Sequence, residues 1–77
     1  MPLNIHKEHF QGLVNKNKDL RQTLQAAAKA KINGDWCIIE AVPFDEEMVY
    51  CYNEETHVQY AIRFRDIDFG NLKTILK

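Results

Sequence analysis

The apolar residues of this chain change their spacing at Asn33-Gly34. Before that dipeptide they recur every three or four positions (Phe10, Leu13, Val14, then Leu20, Leu24, Ala27, Ala28), as on the buried stripe of a helix. After it they alternate with other residues, as on a strand with one buried side. A chain patterned this way is restricted to helix packed on sheet, an α+β arrangement. Its 77 residues read as a single small domain spanning 1–77, and a domain of that size buries only about 60% of the surface of its unfolded chain. Modest stability is expected.

The spacing predicts an N-terminal helix, or a helix pair broken near Asn15 to Asn17, packed on a three-stranded antiparallel meander, with a short C-terminal helix. Asn4 and Asn17 are candidate N-caps. The segment from Leu20 to Ile32 is rich in Leu, Gln, Ala and Lys, all strong helix formers. Lys29 and Lys31 would then sit in its last turn, favourable against the helix dipole, and Asn33-Gly34 would supply the left-handed cap. Strands are expected over Trp36 to Val42, Met48 to Tyr52 and Val58 to Phe64. Asp68 would cap the last helix, whose apolar side is Phe69, Leu72, Ile75 and Leu76.

Charge follows the same boundary. Residues 1–34 carry six Lys/Arg against two Asp/Glu, a net +4, and residues 35–77 carry four against nine, a net −5. The whole chain is close to neutral yet dipolar, which suggests a basic helix facing an acidic sheet.

A tight turn about Glu54-Glu55 would set Asn53 opposite Thr56, Cys51 opposite Val58 and Val49 opposite Tyr60, and residues opposite one another share a face. One face then collects Cys37, Ile39, Ala41, Val49, Cys51, Val58, Tyr60, Ile62 and Phe64, a core for the helices to cover. The other collects Trp36, Ile38, Glu40, Val42, Met48, Tyr50, Tyr52, His57, Gln59, Ala61, Arg63 and Arg65. A sheet with one buried face should be polar on the other, yet this second face is aromatic and aliphatic. Either the C-terminal helix folds across it or a partner does. Trp36, Ile38, Met48, Tyr50 and Tyr52, with Arg63 and Arg65 at their edge, are the candidate protein-binding residues, because Trp, Tyr, Met and Arg are enriched in interfaces.

Chemistry is harder to find. His6 and His9 are three apart, as half of a metal site would be, but Cys37, Cys51 and His57 fall on separate segments and no C-x-x-C or H-E-x-x-H spacing is present. Cys37 and Cys51 lie inside apolar alternation, where a cysteine behaves as a small buried hydrophobe, so reduced structural thiols are expected. The acidic runs Asp45-Glu46-Glu47 and Glu54-Glu55 fall in turns and lack the apolar flanks that would raise a catalytic carboxyl's pKa. No cofactor, metal or catalytic residue is assigned, and the chain is read as non-enzymatic.

No apolar run approaches the roughly 18 residues of a membrane span, and the N-terminus has no basic-then-apolar leader pattern, so a cytoplasmic protein without a membrane partner is expected. The function expected is a protein-interaction module: a small regulator or inhibitor, of the kind also found among phages and mobile elements, that binds a larger protein or forms a homodimer. The alternative is a nucleic-acid-associated protein whose phosphate contacts would be Lys16, Lys18, Arg21, Lys29 and Lys31. An isoelectric point near 6.3 and the acidic second half weigh against it.

Overall fold

The computed structural model describes residues 17–77. Residues 17–26 are helical (α1) and run without an intervening loop into strand β1, Ala27–Ile32. Then follow β2 (Asp35–Ala41), β3 (Met48–Asn53), β4 (Gln59–Arg63), two single 3-10 turns (Phe64–Asp66 and Phe69–Asn71) and β5 (Lys73–Leu76). The strands form one antiparallel sheet in the order β4-β3-β2-β1-β5. The class is α+β, as the spacing implied, but with five strands rather than three, and with a strand where the C-terminal helix was expected.

The helix expected from Leu20 to Ile32 stops at residue 26. Ala-rich sequence favours a helix when only its own backbone is considered, but β1 is hydrogen-bonded on both sides, to β2 and to β5. Two ladders outweigh a preference of a few tenths of a kcal/mol per residue. The alternation was present all along: Ala30 and Ile32 are buried, while Lys29 and Lys31 point to the other face. Asn33 and Gly34 do adopt the left-handed conformation, at φ 52° and 97°. They form a two-residue hairpin turn between Ile32 and Asp35 rather than a helix cap, and two consecutive positive φ values are what a type I′ turn requires.

The β3–β4 hairpin is wider than a two-residue turn. Asn53 Oδ1 accepts from the backbone N–H groups of Glu55 and Thr56 at 2.8 and 2.9 Å, and His57 closes the loop at φ 61°. Cys51 therefore pairs with Tyr60 and Val49 with Ile62, a shift of two residues from the tight-turn register. Because the side-chain period is also two, every residue keeps its face. A bulge at Glu40 does change a face: Ile39 pairs with Cys51 but Ala41 with Tyr50. Ala41, expected in the core, is exposed, and Val42, expected on the second face, packs against the core.

The core lies between α1 and the first sheet face. Leu20 and Leu24 pack with Ala30, Ile32, Cys37, Val49, Cys51, Phe64 and Ile67. Ala30 and Cys37 are cross-strand partners and both small, which leaves room beneath the helix for two leucines. On another side of α1, Asn17, Arg21 and Gln25, each four residues apart, bind the β2–β3 loop at Glu47 Oε1 (3.1 Å), the Glu46 carbonyl and the Val42 carbonyl (3.1 Å). Val58 and Tyr60, expected in the core, are 50% and 43% exposed, because Val58 falls in the wider hairpin loop and Tyr60 lies on β4, an edge strand. Phe10 and Leu13, expected to join the core, lie outside the described residues, as do the cap at Asn4 and the break near residue 15.

Asp68 does not cap a helix. Its Oδ2 accepts from Asn71 Nδ2 at 2.6 Å, the single turn ends, and the β-branched Thr74 and Ile75 add to the free edge of β1. The C-terminal segment thus extends the sheet sideways and does not cross the second face.

Candidate functional site

Strand register places the second face residue by residue. Lys31 pairs with Trp36, Ile38 with Tyr52, Tyr50 with Ala61, and Met48 with Arg63. Trp36, Ile38, Met48, Tyr50, Tyr52 and Arg63 therefore share the side opposite α1. Arg65 lies beyond β4 in the first 3-10 turn, and with Met48, Glu47 and Arg63 it lines a shallow hollow at that corner. All seven candidate protein-binding residues are on this face or at its rim. None of them is buried.

The aromatic rings are individually held. The Lys29 ammonium stands 5.4 Å from the centre of the Trp36 ring and 2.9 Å from Glu54 Oε1, so one cation joins the indole to the hairpin tip. The Tyr52 ring stacks on His57, with centroids 6.0 Å apart and planes inclined by 20°. The Tyr50 hydroxyl donates to Glu46 Oε2 at 2.7 Å. That hydrogen bond, with lesser contributions from desolvation and the charges of Glu46 and Asp45, holds the phenol's pKa above its ordinary value. Rings fixed in this way lose little rotamer freedom when something docks on them.

The basic set expected to contact phosphates does not form a stripe. Lys16 lies outside the described residues. Arg21 is committed to the fold, bound to the Glu46 carbonyl with its guanidinium 5.3 Å from the centre of the Phe64 ring. Lys18 is exposed on α1, whereas Lys29 and Lys31 belong to β1 and open onto the aromatic face. The boundary between basic and acidic halves is thus not the boundary between helix and sheet. Sequence reasoning missed these two lysines as members of the second face, together with Lys73 and Ile75, which pair with Lys31 and Lys29. The signal for Lys29 and Lys31 was the alternation Ala-Lys-Ala-Lys-Ile over residues 28–32.

Cys37 and Cys51 are free, buried and diagonal neighbours on the core face of β2 and β3. Burial pushes the Cys51 thiol up to about 12, and burial also raises Cys37, partly offset by its hydrogen bond with Cys51. Both are protonated at neutral pH, and the thiolate is the reactive form. Among the described residues no cluster of three His, Cys, Asp or Glu side chains is placed to hold a metal, and the His6/His9 pair lies outside them. Alkylation of either thiol is expected to be slow in the native protein and fast in denaturant. Rapid native labelling would mean that the cysteines are accessible. The Cys51 shift also has a pH consequence. An unfolded thiol ionises near 9.0 and the folded one near 12, so between those values the unfolded chain binds fewer protons and stability falls as pH rises.

Among the described residues no helix is long and apolar enough to cross a membrane. Searches of family models, curated proteins and solved structures find no match to this chain.

Proposed function

We propose that this chain is a non-enzymatic, cytoplasmic protein-interaction module, a small regulator or inhibitor that binds a larger protein through the second sheet face. The observation that carries this reading is the division of the sheet. The described helix and core occupy one face, while Trp36, Ile38, Met48, Tyr50 and Tyr52 form an aromatic and aliphatic patch on the other with no described element across it. The patch is flanked by Lys31 and Lys73 on one side and Arg63 and Arg65 on the other. A partner surface with an apolar centre and an acidic rim complements it.

Two other occupants fit less well. A second copy docked face to face would bring cationic flanks toward one another, a like-charge cost. Single-stranded nucleic acid needs free ring faces for stacking, whereas Lys29 stands over Trp36, His57 stacks on Tyr52, and the carboxylates of Glu46 and Glu54, beside Tyr50 and Lys29, would repel phosphates. No cofactor is proposed.

The test is the Trp36→Ala/Tyr50→Ala double variant, with the circular-dichroism spectrum as a control for folding. Loss of central aromatic anchors is expected to weaken partner capture by more than about tenfold, since such residues dominate interface energetics. A wild-type dimer that the double variant dissociates would assign the face to a second copy. Binding to oligo(dT) that weakens steeply with salt would assign it to nucleic acid.

A further inference from the structure

Lys31 is paired on both sides, with Trp36 of β2 and with Lys73 of β5. Lys73, Lys31 and Trp36 therefore form one row across three strands. Like charges directly opposite one another in a sheet are destabilising; Asp35, Glu54 and Glu55 line a neighbouring hollow with Lys31, but among the described residues none forms a salt bridge with either lysine. The salt bridges among the described residues are Lys29–Glu54 and Arg63–Asp66, neither of which involves this pair. Lys29, two residues before Lys31 on the same strand, shows what a neutralised lysine looks like in this sheet.

The two lysines open into a cleft of about 450 Å³ whose remaining walls are Asn33, Gly34, Asp68 and Asn71. Asp68 is the one acid among the described residues of that wall, and its Oδ2 accepts from Asn71 Nδ2 at 2.6 Å. Two ammoniums against one engaged carboxylate leave the cleft net positive. Gly34, at φ 97°, has no side chain to fill it, and nothing lies within 4 Å of where one would begin. A repulsive cross-strand pair and a cleft in which two lysines face one carboxylate coincide at one place.

We propose that this cleft binds an oxyanion, the phosphate or carboxylate group of a ligand, held between the Lys31 and Lys73 ammoniums. Lysine suits this as a compact point charge with three donors. The bound anion would relieve the repulsion that the two side chains otherwise impose on the β1–β5 ladder. The site does not depend on the docking reading above, which uses Lys31 and Lys73 only as a charged flank and is tested at Trp36 and Tyr50.

The experiment is an amide chemical-shift titration of the 77-residue chain at low ionic strength, with inorganic phosphate in one arm and glutarate in the other. Saturable shifts centred on Lys31, Gly34, Asn71 and Lys73 are expected, with affinity reduced about tenfold or more in Lys73→Gln and in Lys31→Gln. Tighter binding of phosphate would assign a phosphate-bearing ligand, and tighter binding of glutarate a carboxylate-bearing one. Without added anion, Lys73→Gln is expected to melt a few degrees higher than wild type, because the variant removes the opposed charge. That rise separates a binding pair from lysines kept for stability. Shifts that never saturate, shifts unchanged in Lys73→Gln, or a lower melting temperature for that variant would each overturn the proposal.

Discussion

Leu24→Ala is expected to remove about 3 to 4 kcal/mol of stability, as truncation of a fully buried leucine in the described core does. Leu24 is fully buried between α1 and the first sheet face. The side chains that share the core with it on β1 and β2 include Ala30 and Cys37, which are too small to move into the vacated space. The cavity therefore stays open, and an open cavity adds its own cost to the lost transfer free energy. Domains of this length hold about 0.05 to 0.15 kcal/mol per residue, so the variant should be close to unfolding at 37 °C. Urea denaturation followed by circular dichroism measures the loss. A value under about 1 kcal/mol would place Leu24 outside the core. Ile62→Ala, which the alternation alone would rank beside it, should cost only about 1 kcal/mol, because Ile62 is half-buried on the edge strand β4.

Gly34→Val should cost about 2 kcal/mol through the backbone alone. At φ 97° a β-branched residue is strained wherever its side chain points, and the space around the site is open, so crowding does not contribute. Gly34→Ala should show a smaller part of the same loss. Asn33→Gly keeps the positive φ accessible and gives up only the 3.0 Å hydrogen bond from Asn33 Nδ2 to the Asp66 carbonyl, a loss of about 1 kcal/mol. Thermal melts of the three variants order these effects. If Gly34→Val were as stable as wild type, the hairpin turn would have to tolerate another conformation.

Particular residues show what the sequence could and could not disclose. Face assignment was legible for β3 and β4, because alternation has period two and survived a two-residue error in the hairpin loop. The loop itself was not, since the Asn53 side-chain hydrogen bonds and the left-handed His57 have no periodic signal. Residues 27–32 carried two patterns at once, helix-forming composition and strand alternation. Pairing with two distant strands decided between them, and those partners could not be seen locally. The positive φ at Asn33-Gly34 was legible in the residue types, but a helix cap and a type I′ turn call for the same residues. At the C-terminus a short apolar run suited either a last helix or an edge strand, and the unpaired side of β1 took it as a strand. For the candidate site, the aromatic half of the second face was found from alternation. The lysine half was hidden by the helix reading of β1.

The sheet is assembled from contacts of two very different sequence separations. Strands β1, β2 and β3 each pair with the next along the chain, so their ladders close through short loops. β5 instead returns to β1, joining Leu76 to Ala27. Closing that long loop carries the larger entropic cost and is repaid only once the intervening hairpins have ordered. The four-strand meander is therefore expected to form before β5 docks, which φ-values of variants in the two parts would check. In the native protein β5, a four-residue edge strand, is expected to open on its own, so that its amides exchange with solvent hydrogen before the β2 and β3 amides do.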